Sequence, residues 1–141
     1  MRDLFAFVPG TANVAILAMV VACLLPIVWA MLAKIWGGFA LKDNQNPRAF
    51  YADLQGKAFR ANAVQQNGRE GLPIFLASVI TAMLFFVPQS VVNNLAVMYI
   101  ILRLIYGIAY ISNLSTFRSV VWTLSLMCPL LLFYLAIKIN L

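Results

Sequence analysis

Residues 60–87 read RANAVQQNGREGLPIFLASVITAMLFFV, a polar segment that runs without a break into an apolar one. Arg60, Asn67 and Glu70 precede the apolar residues 72–87. In an α-helix, which turns 100° per residue, these three side chains fall within an arc of about 80°. Charged groups are costly inside a membrane, and they are kept there where they face a bundle interior, a partner or a ligand. The stretch therefore predicts a membrane helix with one polar stripe that faces protein or ligand.

A second stripe of polar and aromatic side chains follows at helical spacing. Its members are Arg103, Tyr106, Tyr110 and Asn113, separated by three, four and three residues. Hydrogen bonds that hold membrane helices together explain such residues too, and we favour that explanation for Tyr106 and Asn113 taken alone. A buried arginine needs a partner, which an ion pair of Glu70 with Arg60 or Arg103 would provide. The two stripes together indicate a polar ligand held between helices.

The composition is that of a membrane protein. Of the 141 residues, 64% are hydrophobic and 10% are charged, whereas a soluble domain carries about 25% charged residues. Apolar stretches occur at about residues 11–33, 72–87, 91–112 and 120–139, and a spanning helix needs ~20 apolar residues. We therefore predict an all-α integral membrane protein. The chain would form a single domain, residues 1–141, as a bundle of four transmembrane helices at about residues 11–35, 54–87, 90–113 and 116–140.

The basic residues are distributed by membrane side, which argues against nucleic-acid binding. Those in or near the first and third connections are Lys34, Lys42, Arg48, Lys57, Arg60 and Arg118. The second connection, residues 88–94, holds none. The positive-inside rule then places the first and third connections in the cytoplasm and both chain ends on the opposite side. Residues 37–53, rich in Gly and Asn, are predicted to form the one long loop.

Other features of the sequence narrow the range of possible functions. The first apolar stretch is longer than the apolar core of a signal peptide and no small-residue cleavage site follows it, so we expect it to be retained. Cys23 and Cys128 lie in apolar stretches, the chain has no histidine, and no cysteine spacing suits a metal. A small proton-coupled exporter would need a carboxylate inside the membrane. Glu70 is the only glutamate and the first helix has no carboxylate, so this function ranks last.

Arg118 lies in the first turn of the predicted fourth helix. The helix dipole is positive there, so a cation is unfavourable by roughly a few tenths of a kcal/mol. An anion bound at that helix start would be attracted by the dipole and by the guanidinium together. A topological anchor on the cytoplasmic side explains the same residue equally well.

The order and spacing of these residues resemble a known family of membrane proteins. It is the MAPEG family, the membrane-associated proteins in eicosanoid and glutathione metabolism. The matching residues are Arg60-Ala61, Asn67, Glu70, residues 72–77, residues 103–106, Tyr110 and Arg118-Ser119. Residues 44–48, NQNPR, resemble a loop of the bacterial branch. The resemblance covers about residues 30–125 and implies a homotrimer of four-helix subunits.

The resemblance also implies a site and a chemistry. Family enzymes bind glutathione between neighbouring subunits near the cytoplasmic side. They conjugate it to lipophilic electrophiles, reduce lipid hydroperoxides, or make leukotrienes and prostaglandins. By position, Arg118 would stabilise the glutathione thiolate, with Ser119 beside it. The glutathione-binding residues would be Arg60, Asn67, Glu70, Arg103, Tyr106 and Tyr110.

Three positions depart from the family pattern, and two hypotheses follow. Ala63 replaces an arginine of many members, Gln65 replaces a histidine of bacterial relatives, and Gly71 replaces an aromatic residue. The first hypothesis is a glutathione-dependent transferase or peroxidase of a bacterial inner membrane, whose lipophilic substrate enters from the bilayer. The second is a non-catalytic membrane protein of the same fold that binds a lipid or another anion. The losses at Ala63 and Gly71 favour the second.

Overall fold

The computed structural model describes residues 10–141, and every regular element within them is a helix. In chain order the elements are α1 (Ala12–Gly37), a short 3-10 helix (Leu41–Gln45), α2 (Pro47–Ala52), α3 (Gly56–Leu84), α4 (Gln89–Ile111) and α5 (Ser115–Ile139). The prediction of an all-α protein is confirmed.

Three of the described helices, α1, α4 and α5, are long and apolar enough to cross a membrane. α3 has 29 residues, but its first half carries the polar segment that begins at Arg60. This polar half is helical, so α3 matches its neighbours in length although its apolar part is short. Large apolar side chains, including Leu17, Ile27 and Met31 of α1, stay exposed on the outside of the bundle. Such a surface suits contact with lipid or with other subunits.

Hydrogen bonds from side chains join the helix ends at both sides of the bundle. At one side Arg60 Nε donates to Ile111 O at 3.1 Å, which joins the start of α3 to the end of α4. At the other side the fully buried Asn93 of α4 donates from Nδ2 to Thr11 O at 2.9 Å, just before α1. The long helices therefore run alternately up and down.

The helices α3 and α4 each contact α1, α5 and one another. The buried stripe of α1 consists mostly of small residues, namely Ala15, Ala18, Ala22, Pro26, Trp29 and Ala33. Small side chains let helix backbones approach closely. One close approach lies at Gly107 of α4, where an added Cβ would overlap the Trp29 ring. Only glycine fits at this position without a shift of α1.

The prediction of one long loop at residues 37–53 is wrong, because this segment contains the 3-10 helix and α2. α1 ends at Gly37, and Gly38 takes a left-handed φ of 71°, which glycine adopts without strain. Pro47 then occupies the first turn of α2, and Asn46 Oδ1 accepts a hydrogen bond from Ala49 N at 3.3 Å. Asparagine followed by proline is a strong helix start, because the first caps the helix and the second has its φ preset.

Candidate functional site

A buried arginine of α4 is held by an asparagine of α3. Arg103 is 6% exposed, and its Nη1 donates to Asn67 Oδ1 at 2.8 Å. The guanidinium carbon also lies 4.7 Å from the centroid of the Tyr106 ring. Both partners are neutral, so the positive charge of Arg103 is not cancelled. A buried cation without a carboxylate partner favours the binding of an anion.

This pair lines a cavity of about 210 Å³ between α3, α4 and α5, which we name the Arg103 cavity. Its polar wall holds Asn67, Glu70, Tyr99, Arg103 and Ser125. Its apolar wall includes Ile74, Leu126 and Pro129. The cavity therefore offers a charged wall and an apolar wall to the same ligand.

A second cavity of about 400 Å³ lies beside the start of α5, and we name it the Arg118 cavity. It is lined by Asn67, Tyr106, Tyr110, Arg118, Ser119, Trp122 and Thr123. The Arg118 guanidinium lies over the Tyr110 ring, 4.2 Å from its centroid. Ser119 Oγ donates to Ser115 O at 3.1 Å, so its proton points to the backbone of α5.

The two cavities adjoin, because Asn67 and Trp122 line both. Two aromatic rings in edge-to-face contact connect the cations of the two cavities. Arg103 lies over Tyr106, the Tyr106 and Tyr110 rings meet edge to face with centroids 5.7 Å apart, and Tyr110 lies under Arg118. We name this run of four side chains the arginine–tyrosine ladder. It fixes two positive charges along one wall of a continuous site.

The structure brings seven of the eight candidate residues to these cavities. They are Asn67, Glu70, Arg103, Tyr106, Tyr110, Arg118 and Ser119. The eighth, Arg60, lines neither cavity and instead donates to the carbonyl of Ile111. A cation at the carboxyl end of a helix stabilises its last carbonyls. Asn113, the last member of the second stripe, lies beyond the end of α4 with a left-handed φ of 60° and is exposed.

The structural alternative, an ion pair of Glu70 with Arg60 or Arg103, does not form. Both arginines donate to neutral oxygens, those of Ile111 and Asn67. Glu70 is exposed on the edge of the Arg103 cavity. It is the one carboxylate among the described residues that line the two cavities. The site therefore offers one anionic group and two cationic groups to a ligand.

Sequence reasoning missed two aromatic residues of this site, Tyr99 and Trp122. Tyr99 is stacked on Phe75 of α3 with ring centroids 4.0 Å apart, and its hydroxyl would lie 3.3 Å from a Cβ added to Gly71. The missing side chain at Gly71 thus leaves room for the Tyr99 hydroxyl. Tyr99 precedes Arg103 by one helical turn, so extending the second stripe by four residues toward the start of α4 would have found it.

Comparison with known proteins identifies the family. Among residues 10–141 there is no group of three His, Cys, Asp or Glu side chains that could hold a metal. The family model described as MAPEG family matches residues 8–138. No curated protein and no solved structure matches the chain. The match spans nearly the whole chain and agrees with its membrane helices, so this chain is an integral membrane protein that belongs to the MAPEG family.

Proposed function

We propose that this protein is a glutathione-dependent transferase or peroxidase that acts on lipophilic electrophiles or lipid hydroperoxides. Members of its family generally use glutathione. The observation that carries the proposal is the arginine–tyrosine ladder, because it holds two cations at fixed positions beside adjoining cavities. The location proposed is the inner membrane of a bacterium, with both chain ends outside the cytoplasm.

Glutathione carries two carboxylates, one ammonium group and one thiol, and the site offers a group for each kind. Arg103, oriented by Asn67 at 2.8 Å, suits a carboxylate because a guanidinium binds one through two parallel hydrogen bonds. Glu70 suits the ammonium group. Arg118 is left for the thiol, whose pKa is ~8.5 without a neighbour and falls beside a cation.

The proposed transfer step joins the glutathione sulfur to the lipophilic electrophile. The thiol loses its proton to solvent, the sulfur forms a bond to an electrophilic carbon, and a leaving group such as chloride departs with the bonding electrons. Arg118 favours the thiolate that begins this step. Ile74, Leu126 and Pro129 supply an apolar wall for a lipophilic second substrate.

We further propose a homotrimer in which α3 also spans the membrane. The support is the exposure of Glu70 on the polar half of α3, since such a group needs shielding from hydrocarbon. Neighbouring subunits would provide that shielding. Native mass spectrometry from a mild detergent should show a trimer, and a monomer under the same conditions would contradict this assembly.

The proposal is tested with wild-type protein in detergent. Millimolar glutathione should raise the midpoint of thermal unfolding, because a ligand that binds the folded state stabilises it. It should also give the absorbance of a thiolate at neutral pH and conjugate to a chlorinated nitrobenzene. The matched control is a glutathione analogue with a methyl group in place of the thiol, which should stabilise the protein without a thiolate signal. Absence of all three responses to glutathione would overturn the proposal.

A second candidate is a non-catalytic member of the family that binds a lipid or another anion at the same site. The observation that favours it is the hydrogen bond from Ser119 Oγ to Ser115 O, which directs this hydroxyl proton away from the cavity. Ala63 also adds no cation where many members have an arginine. Stabilisation by an anionic ligand without thiolate formation or conjugation would support this candidate.

A further inference from the structure

A third polar cavity lies on the other side of α3. It has a volume of about 450 Å³ and lies between α1, α2 and α3, and we name it the Arg69 cavity. Its polar lining consists of Arg48 and Tyr51 from α2, and Asn62, Gln65, Gln66 and Arg69 from α3. Along α3, Arg69 lies about 160° away from Asn67. The Arg69 cavity is therefore separate from the two cavities that hold the arginine–tyrosine ladder.

The guanidinium of the exposed Arg69 contacts the buried amide of Gln65, and the buried amide of Asn62 holds Gln65 in turn. Gln65 is 5% exposed and Asn62 is 6% exposed. In the amide orientation that satisfies both neighbours, the Gln65 nitrogen donates to Asn62 Oδ1 at 2.9 Å and the Gln65 oxygen accepts from Arg69 Nη2 at 3.1 Å. Buried polar groups cost free energy unless they are paired. The Gln65 amide is paired with Asn62 on one side and with Arg69 on the other, and this pairing sets the position of the Arg69 guanidinium. Arg69 is oriented by neutral partners and keeps its full charge.

The cavity is positive because a second arginine lines it and no carboxylate does. Arg48 and Arg69 are the charged residues of its lining. The neighbouring cavity on the other face of α2 provides a contrast, because Lys42 is accompanied there by Asp43 and Asp53. Tyr51 adds a hydroxyl donor, and partial burial raises its pKa above 10.0 although Arg69 lowers it in part. The lining thus combines two cations with neutral hydrogen-bond donors.

The depth of the cavity below the end of α1 suits contact with lipid headgroups. Its wall reaches Ala30 of α1, which is seven residues before the end of this helix at Gly37 and so ~10 Å from it. α2, which carries Arg48, lies in the connection outside the long helices. Headgroup regions add about 5–7 Å to each face of a bilayer. The cavity is therefore within reach of the headgroup region of a bilayer that the long helices cross.

We propose that the Arg69 cavity binds the phosphate headgroup of an acidic phospholipid. Two guanidinium groups without carboxylate partners suit a phosphate that keeps a net negative charge, since arginine pairs with phosphate through parallel hydrogen bonds. Basic pockets between membrane helices bind anionic headgroups in this way. The zwitterionic headgroup of phosphatidylcholine brings its own cation and is a poorer match. The lipid would bridge α1, α2 and α3 at the membrane surface.

The test is a lipid competition measured by native mass spectrometry on the full chain in mild detergent. Delipidated protein receives equal amounts of phosphatidylglycerol and phosphatidylcholine. Wild type should retain mainly phosphatidylglycerol, and Arg69→Gln and Arg48→Gln should each retain about tenfold less, as expected for the loss of a charge-assisted hydrogen bond. The matched control is Lys57→Gln, which removes the same charge from an exposed residue of α3 outside the described cavity lining. It should retain lipid like wild type.

Other outcomes decide against the proposal. If Arg69→Gln does not fold without its amide partners, Arg48→Gln carries the test, because Arg48 is exposed on the short α2. Equal retention of the two lipids by wild type, or unchanged retention in Arg48→Gln, overturns it. Displacement of bound phosphatidylglycerol by millimolar glycerol phosphate would assign the cavity to a soluble phosphate ester instead. Loss of glutathione binding in Arg48→Gln with unchanged lipid retention would assign it to the glutathione site.

Discussion

The side-chain oxygen of Asn67 accepts a 2.8 Å hydrogen bond from Arg103 across the interface of α3 and α4. The bond orients a cation without neutralising it. We expect Asn67→Ala to weaken glutathione binding by about tenfold, because a hydrogen bond to a charged group is worth about that much. Calorimetric titration measures the effect. Asn94→Ala, which removes another half-buried asparagine from the bundle, should bind like wild type. Equal affinities of the two variants would rule out this role for Asn67.

Arg118 should matter more for turnover than for binding. We expect Arg118→Ala to lower conjugation by about 10²–10³, the usual effect of removing one preorganised electrostatic contact. Glutathione affinity should fall less, since Asn67, Glu70 and Arg103 remain. Lys138→Ala is the matched control. Lys138 is a second cation of α5 that lies over an aromatic ring, with Nζ 5.9 Å from the Tyr134 centroid, but it is at the far end of the helix. If Arg118→Ala stays as active as this control, the arginine is only a topological anchor.

Gly107 should be intolerant of a single methyl group. A Cβ there would overlap the Trp29 ring, so Gly107→Ala should destabilise the protein by about 1–3 kcal/mol, as overpacking does. Thermal unfolding in detergent measures the loss. Gly10→Ala is the control, since a Cβ at Gly10 meets no atom within 4 Å. The smaller ring in the double variant Trp29→Phe/Gly107→Ala should restore part of the stability. No recovery would show that the clash lies elsewhere.

The ionisation of Tyr51 should report on Arg69. Burial raises the pKa of Tyr51 and Arg69 opposes that rise, so Arg69→Gln should raise the pKa further. The folded-state pKa lies above the unfolded value, so the stabilising contribution of Tyr51 is complete below pH 10.0 and is lost as the pH rises through the folded-state pKa. Ultraviolet titration, corrected with Tyr51→Phe, measures the shift. Lys57→Gln should leave the titration unchanged, and an unchanged pKa in Arg69→Gln would refute the electrostatic effect of Arg69 on Tyr51.

The orientation of the chain can be measured with two introduced cysteines. We replace Cys23 and Cys128 by alanine, then place one cysteine at Asn44 in the first connection and another at the exposed Ser90, in the first turn of α4 next to the second connection. Basic residues concentrate near the first connection, so position 44 should react only after the membrane is permeabilised. Position 90 should react in intact cells with a reagent that does not cross membranes. The reverse pattern would invert the proposed topology.

The polar residues that line the candidate site stand out in the sequence because charge inside an apolar helix is rare, but the pairing of Arg103 with Asn67 does not follow from the sequence. Asn67, Glu70 and Arg103 stand out against the residues around them, and helical spacing alone places each on one face. The role of Arg60 was not predictable. Its partner, the carbonyl of Ile111, is 51 residues away in sequence and becomes available only where α4 ends. Helix ends are set by tertiary contacts, and neither polarity nor spacing encodes them.

Two other features show different limits of the sequence. The start of α2 was present in the chain as Asn46 followed by Pro47, but the glycines and asparagines around it favoured a loop. Arg69 was overlooked because it lies off the stripe of Asn67 and Glu70. Its neighbours Gln65 and Asn62 form a second face whose partner is α2, an element absent from the predicted fold. A polar face without a visible partner was therefore not recognised as a site.

The contact between Gly107 and Trp29 gives α1 an influence on a site that it does not line. None of the described residues of α1 lines the Arg103 cavity or the Arg118 cavity. Trp29 of α1 nevertheless packs against Gly107, in the turn of α4 that follows Arg103 and Tyr106. Closely packed atoms cannot move independently of each other, so a tilt of α1 must displace this turn of α4. Half of the residues of α1 are exposed on the outside of the bundle. A change in the tilt of α1 would therefore alter the spacing of the two arginines, although no described side chain of α1 lines either cavity.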